Sequence, residues 1–141
     1  MGGLGEDNKL NVNKNFHFPL NNGVVTSKFG ERNEPVSNKI SFHNGLDIGV
    51  PENSEVYAMC DGYIKKVGED KLNGIFLEYQ TIFGYIIIYA HLNSYSVKEG
   101  DFVSKGQVIA FSGNTGYSTG PHLHISIKDL DGKYVNPEDF F

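Results

Sequence analysis

Among its 141 residues the chain has a single cysteine, Cys60, and no tryptophan. One thiol cannot close a disulfide within the chain. Set between Met59 and Asp61 in a strand-like stretch, it reads as a small buried apolar residue and not as a nucleophile. No apolar run reaches the roughly 18 residues needed to span a bilayer, so no membrane insertion is expected in this segment. The amino terminus, Met-Gly-Gly-Leu-Gly-Glu, carries neither the apolar core of a signal peptide nor the Ser/Thr at position six of a myristoylation signal. Lys/Arg clusters are also missing and the net charge is −5, which leaves no electrostatic footprint for a nucleic-acid partner. Internal repeats and low-complexity segments are absent.

What is present favours strands and tight turns. The chain carries 17 Gly, 10 Phe and 8 Tyr, and its length suits one domain that buries roughly two-thirds of the surface of its unfolded chain. The expected fold is mostly β, a single domain of antiparallel sheets with very little helix. An extended piece over 16–20 should lead through a turn at Asn21-Asn22-Gly23 into a strand from Val24 to Phe29. Residues 31–39 read as a polar loop. Strands are expected over 56–67, with a bend at Gly62, and over 74–80, 85–92 and 103–111. Asn136-Pro137 predicts one short helical turn at the end, with Asn as cap and Pro at the first helical position.

Four of the five histidines fall in three short patterns: His43-Asn-Gly-Leu-Asp47, Tyr89-Ala-His91-Leu92 and His122-Leu-His124. Residues 122–128 alternate with period two, which sends Leu123, Ile125 and Ile127 to one face and both histidines to the other. The apolar run 85–92 is read the same way, with Ile86, Ile88, Ala90 and Leu92 toward the core and Ile87, Tyr89 and His91 opposite. Gly45, Gly49 and Pro51 make the His43/Asp47 segment extended or looped, unlike a helical HExxH site. Imidazole and carboxylate suit zinc or a similar divalent metal, and a catalytic zinc keeps three protein ligands and an open position. Four histidines and one aspartate exceed three ligands. Spare histidines are what a hydrolase needs, because a water must lose a proton as it attacks and a leaving group must gain one. Composition alone leaves open which three groups bind. Asn114 and Tyr117, in the turn-rich stretch 112–121, and Tyr89 are candidate substrate-binding residues. His17 reads as a structural histidine.

Taken together these patterns match a family. Ser27-Lys-Phe-Gly30-Glu-Arg32, His43-Asn-Gly-Leu-Asp47, Val56-Tyr-Ala58-Met-Cys-Asp-Gly62, Tyr89-Ala-His91-Leu92, Gly100-Asp-Phe-Val-Ser-Lys-Gly106-Gln107 and the stretch from Ser112 to His124 follow one another as in the M23 (LytM/lysostaphin-type) zinc metallopeptidases, which the chain resembles over nearly all of 16–141. The resemblance implies one Zn2+ held by His43, Asp47 and His124 in a groove, with His91 and His122 unligated as general base and transition-state stabiliser. It also implies an endopeptidase that hydrolyses cross-bridge or stem peptides of bacterial peptidoglycan by attack of a zinc-bound water. Some members place an oxyanion-stabilising tyrosine before the first zinc histidine, whereas residues 24–56 contain none. Peptidoglycan lies outside the cytoplasmic membrane, so the expected location is the cell envelope or exterior. The expected organisation is a polar linker or expression remnant over 1–15, an export signal or anchor elsewhere in the full protein, and a monomeric metallopeptidase domain over 16–141.

Two other functions share parts of the pattern. Relatives that have lost metal ligands act as envelope adaptors or activators, but every ligand is retained here. The Val-x-Ala-x-x-x-Gly and Gly-Asp-x-Val-x-x-Gly-Gln patterns also resemble biotinyl or lipoyl carriers. Those need a lysine at the hairpin tip, and Ala110 to Gly116 has none.

Overall fold

The computed structural model describes residues 16–34 and 39–141. The expected linker over 1–15 lies outside the described residues. Twelve strands follow in chain order: β1 (Val24–Ser27), β2 (Gly30–Glu34), β3 (Lys39–His43), β4 (Leu46–Gly49), β5 (Glu55–Tyr57), β6 (Gly62–Asp70), β7 (Gly74–Thr81), β8 (Ile86–Tyr95), β9 (Phe102–Val103), β10 (Val108–Ser112), β11 (His122–Lys128) and β12 (Tyr134–Val135). Among the described residues the only helical piece is a 3-10 turn, Pro137–Phe140, and Asn136 caps it by accepting the Glu138 N–H at 3.0 Å. No helix of the described residues is long and apolar enough to cross a membrane.

Every strand pairing among the described residues is antiparallel. The main sheet runs β1-β4-β11-β8-β7-β6-β9, with β10 joining β5 to the far end of β8 and β12 flanking β11. The centre of that order decides the position of the functional side chains. β11 lies between β4 and β8, and its register sets His124 opposite Asp47 on one side and Ala90 on the other.

Period-two burial follows the hydrophobic pattern on these central strands. Leu46 and Ile48 of β4 and Leu123, Ile125 and Ile127 of β11 are fully buried, while Asp47, His122 and His124 turn to the opposite face. The amino-terminal piece seals the core's lower edge: the Phe16 N–H donates to the Phe140 carbonyl and the Tyr57 N–H to the Pro19 carbonyl. Phe16 packs against Tyr85 and Phe140 with ring centroids 6.1 and 5.1 Å away. Cys60 is buried, and desolvation pushes its thiol up to about 11, which leaves it unreactive.

Five expectations change. The strand expected over 56–67 is two, β5 and β6, with residues 58–61 outside both. The stretch read as a loop over 31–39 is, where described, the paired hairpin β2–β3, from Gly30 opposite His43 to Glu34 opposite Lys39. Backbone pairing is blind to side-chain polarity, so the wholly polar β2 leaves no alternation to read, although Ile40 and Phe42 alternate with polar residues on β3. The strand expected from Val24 to Phe29 ends at Ser27. The strand expected over 103–111 is two strands, separated by a turn in which the Gln107 N–H donates to the Ser104 carbonyl and Gly106 has φ +84°. On β8 the alternation is inverted up to Tyr89: Ile87 and Tyr89 are fully buried, and Ile86 and Ile88 are only half-buried.

Candidate metal centre

Three strands converge on the site. β3 ends at His43, a turn through Asn44 and Gly45 follows, and β4 presents Asp47. Gly45 is required by close approach. A Cβ there would lie 2.4 Å from the Ile125 carbonyl oxygen and 2.7 Å from Cε1 of His124. His124 comes from the neighbouring β11. Its Nδ1 is 2.7 Å from Asp47 Oδ1, and His43 Nε2 is 3.3 Å from Asp47 Oδ2. One donor atom from each of the three residues lies within 4.8 Å of the others.

The remaining nitrogens are already engaged. His43 Nδ1 faces the Lys28 carbonyl at 3.0 Å and the Ser27 hydroxyl at 3.3 Å, and His124 Nε2 faces the Ser126 hydroxyl at 2.9 Å. With Nδ1–H donated to Lys28, His43 turns an Nε2 lone pair to the centre, while His124 Nδ1 donates to Asp47 a hydrogen whose place a bound metal would take. Burial alone would raise the Asp47 pKa. The hydrogen bond from His124 and the fields of His124, His43 and His122 outweigh it and hold the carboxyl below its ordinary value. Two oriented imidazoles and an ionised carboxylate form a donor set that fits a divalent metal ion.

Two more histidines complete the cluster. His122, two residues before His124 on the same face of β11, has its Nε2 3.7 Å from Asp47 Oδ1, while its Nδ1 faces the Gly120 carbonyl at 2.8 Å and the Ser118 hydroxyl at 3.1 Å. His91 arrives by an irregular route. The β7–β8 register passes from Leu77 opposite Tyr89 to Ile75 opposite Leu92, so β8 carries one extra residue there. His91 takes up that bulge with φ +61°, its N–H donating to the Asn73 carbonyl at 2.7 Å. The bulge turns His91 away from the core that holds Tyr89. Its Nδ1 lies 2.7 Å from the Thr115 carbonyl, and its ring centroid is 4.9 Å from that of His122 and 6.0 Å from that of His124. Burial lowers the His91 pKa, partly opposed by the Thr115 carbonyl.

Order and geometry of these groups agree with the comparisons to known proteins. The model of peptidase family M23 matches residues 41–137. This chain belongs to peptidase family M23. A curated relative, the DD-carboxypeptidase/endopeptidase Mpg of Neisseria meningitidis, is 38% identical over 119 residues, covering 84% of this chain and 27% of that protein. Among solved structures, a zinc-containing peptidase from Vibrio cholerae superposes with TM-score 0.81 at 33% identity, over 88% of this chain and 39% of that one. The catalytic domain of lysostaphin from Staphylococcus simulans superposes with TM-score 0.75 at 30% identity, over 85% and 92%. The chain spans about a quarter of the length of the curated relatives it matches.

In this M23 domain the five-residue cluster opens into a cleft of about 610 Å³. Phe42, Leu72, Asn73, Tyr117, Ser118 and Thr119 line it together with the histidines and Asp47. Tyr117 is 81% exposed on its wall. Asn114 is exposed but is not among the lining residues. Tyr89 is a correction: it is fully buried, donates to the Tyr57 carbonyl at 2.7 Å and shares a 2.9 Å hydrogen bond with the Tyr79 hydroxyl, so it belongs to the core and not to the cleft. Leu72 and Asn73, from the β6–β7 turn, were not foreseen. Neither was Ser126, although it is two residues beyond His124 on the same face.

Proposed function

We propose that this domain is a zinc-dependent endopeptidase that hydrolyses peptide bonds of bacterial peptidoglycan, in the cross-bridge or the stem. The observation that carries this reading is the presence, beside a complete His-Asp-His donor set, of two further imidazoles whose Nδ1 atoms are each engaged with a backbone carbonyl, Thr115 for His91 and Gly120 for His122. An imidazole that donates Nδ1–H carries its lone pair on Nε2 and can accept a proton there. The name of another relative, the peptidoglycan DD-endopeptidase ShyA of Vibrio cholerae, favours peptidoglycan as the substrate class.

His43 Nε2, an oxygen of Asp47 and His124 Nδ1 would hold one Zn2+. When bound, the ion would acidify a water and polarise the scissile carbonyl. His91, kept neutral by burial, accepts the proton of the attacking water on Nε2 and returns it to the leaving amine. His122, beside Asp47, would stabilise the charge that develops on the carbonyl oxygen by donating from Nε2, which with Nδ1 engaged by Gly120 requires a hydrogen on both ring nitrogens, and the cleft walls at Phe42, Leu72 and Tyr117 hold the peptide. Residues 16–141 are proposed as the catalytic unit, one that works as a monomer, since all five groups come from one chain and the site needs no second copy, and that acts outside the cytoplasmic membrane where the substrate lies.

Mass spectrometry of purified peptidoglycans of different cross-bridge types tests this reading. The zinc-loaded protein should release new peptide fragments, and a chelated sample and a His91→Ala sample should not. Intact wall from every source despite stoichiometric zinc would overturn the proposal.

A further inference from the structure

We propose that Thr115 is the positioning residue of His91, acting through a hydroxyl inserted into the β7–β8 ladder at the bulge; this rests on the reading of His91 as the proton acceptor. The extra residue on β8 interrupts the ladder at Ile75 opposite Leu92. A bulge of this kind leaves backbone groups that the regular ladder would have paired. Thr115 supplies the missing partner for both strands. Its Oγ1 accepts the Ile75 N–H at 3.0 Å and donates to the Leu92 carbonyl at 2.6 Å, so the sequence N–H, hydroxyl, carbonyl replaces one direct ladder bond.

The same residue holds the catalytic ring. The Thr115 carbonyl accepts from His91 Nδ1 at 2.7 Å. Fixing Nδ1 as the donor leaves the lone pair on Nε2, the nitrogen away from that contact. The Asn73 carbonyl anchors the His91 backbone at 2.7 Å, but that contact leaves χ1 and χ2 free; the Thr115 carbonyl sets how the ring is turned. The carbonyl can do this only if its own peptide is held, and the two hydroxyl bonds hold it. Two glycines permit the fit. A Cβ at Gly74 would come within 2.4 Å of the Thr115 hydroxyl, and one at Gly116 within 2.2 Å of the Gly74 nitrogen; both glycines have positive φ. The hydrogen bonds of Thr115 go to Ile75, Leu92 and His91 and to none of the donor set, which separates its effect from metal binding.

The test compares Thr115→Val, which keeps the shape and removes the hydroxyl, with Thr115→Ser, which restores it, both in the zinc-loaded protein. The 15N shifts of the His91 ring report its tautomer directly. Thr115→Val should lose the single Nδ1–H tautomer and lower kcat on a cross-linked muropeptide by about 10–100-fold, with KM within about twofold and zinc content unchanged. Thr115→Ser should recover both readouts to within about threefold. A Thr115→Val protein that keeps the wild-type tautomer and kcat overturns the proposal, as does a loss of rate that merely tracks lost zinc or lost folded protein in both variants. Should Thr115→Val fail to fold, Thr115→Ala takes its place against Thr115→Ser. Full activity of zinc-loaded His91→Ala would instead sink the role given to His91, and the ring spectrum would still report whether Thr115 positions it.

Discussion

The Ser126 hydroxyl lies 2.9 Å from Nε2 of His124, two residues further along the same face of β11. Ser126 is itself buried, so this contact is sheltered from competing water. It occupies the outer nitrogen and leaves Nδ1, 2.7 Å from Asp47, as the atom available to a metal.

Ser126→Ala should therefore weaken zinc binding by about 10-fold, and by no more than about 100-fold, because the outer-sphere bond orients the ligand without being a ligand. Competition against a chelator of known affinity measures this. An unchanged Kd would show that the ring is held by packing alone.

Gly45→Ala should damage both fold and site. The added methyl meets the Ile125 carbonyl, a fixed ladder group, and the His124 ring. Overpacking of this kind costs about 1–3 kcal/mol, and His124 is the side chain that can give way. The expected result is a Tm lower by several degrees together with substoichiometric zinc. A variant with full zinc content and unchanged Tm would contradict the close approach.

Acidification should reach His91 late. Its pKa is lowered, first by burial, so in the folded protein it stays neutral below the ordinary imidazole value of about 6.5, at which the unfolded chain takes up the proton. Between those two values the unfolded state binds more protons, so His91 costs stability as pH falls below about 6.5 and has no effect above it. In chelator-treated protein, an NMR titration of the His91 ring should give a midpoint below 6.5. The urea midpoint of the wild type relative to His91→Gln should fall between pH 7 and pH 5. A ring midpoint above 6.5 would reverse the sign.

Tyr89→Phe separates core from cleft. The lost hydroxyl deprives the Tyr57 carbonyl and the Tyr79 hydroxyl of a buried partner, at a cost of about 1–3 kcal/mol. Denaturant unfolding should show this loss while zinc content and kcat stay at wild-type values. A lowered kcat with unchanged stability would return Tyr89 to the cleft.

How far the sequence could be read depended on whether a residue obeys the period of its strand. The alternation over 122–128 is regular, so Leu123, Ile125 and Ile127 went inward and His122 and His124 outward as expected, and the same rule would have found Ser126. On β8 the rule gave His91 the correct side for the wrong reason. The bulge shifts the phase between Tyr89 and His91, and no local signal marks it, because the groups that hold it, Asn73 and Thr115, are brought in by tertiary contacts. Tyr89 was misplaced by that same phase error. Leu72, Asn73 and the Lys28 carbonyl stayed hidden for a related reason: they reach the centre through packing between distant segments, and a backbone carbonyl leaves no trace in residue identity. The hairpin over 30–43 was missed because its first strand, Gly-Glu-Arg-Asn-Glu, has no apolar position to alternate; the alternation Lys39-Ile-Ser-Phe-His43 of its second strand was there to be read.

Asp47 and His124 face each other across β4 and β11, 77 residues apart in the chain. A nascent chain carries His43 and Asp47 early, but it has no third donor until β11 is made and paired in register. Any slip by one residue would turn His124 into the core and Leu123 outward. Metal affinity is thereby tied to the last long strand of the central sheet, so a domain still being synthesised or wrongly paired would be catalytically silent, and zinc uptake would serve as a reporter of completed folding.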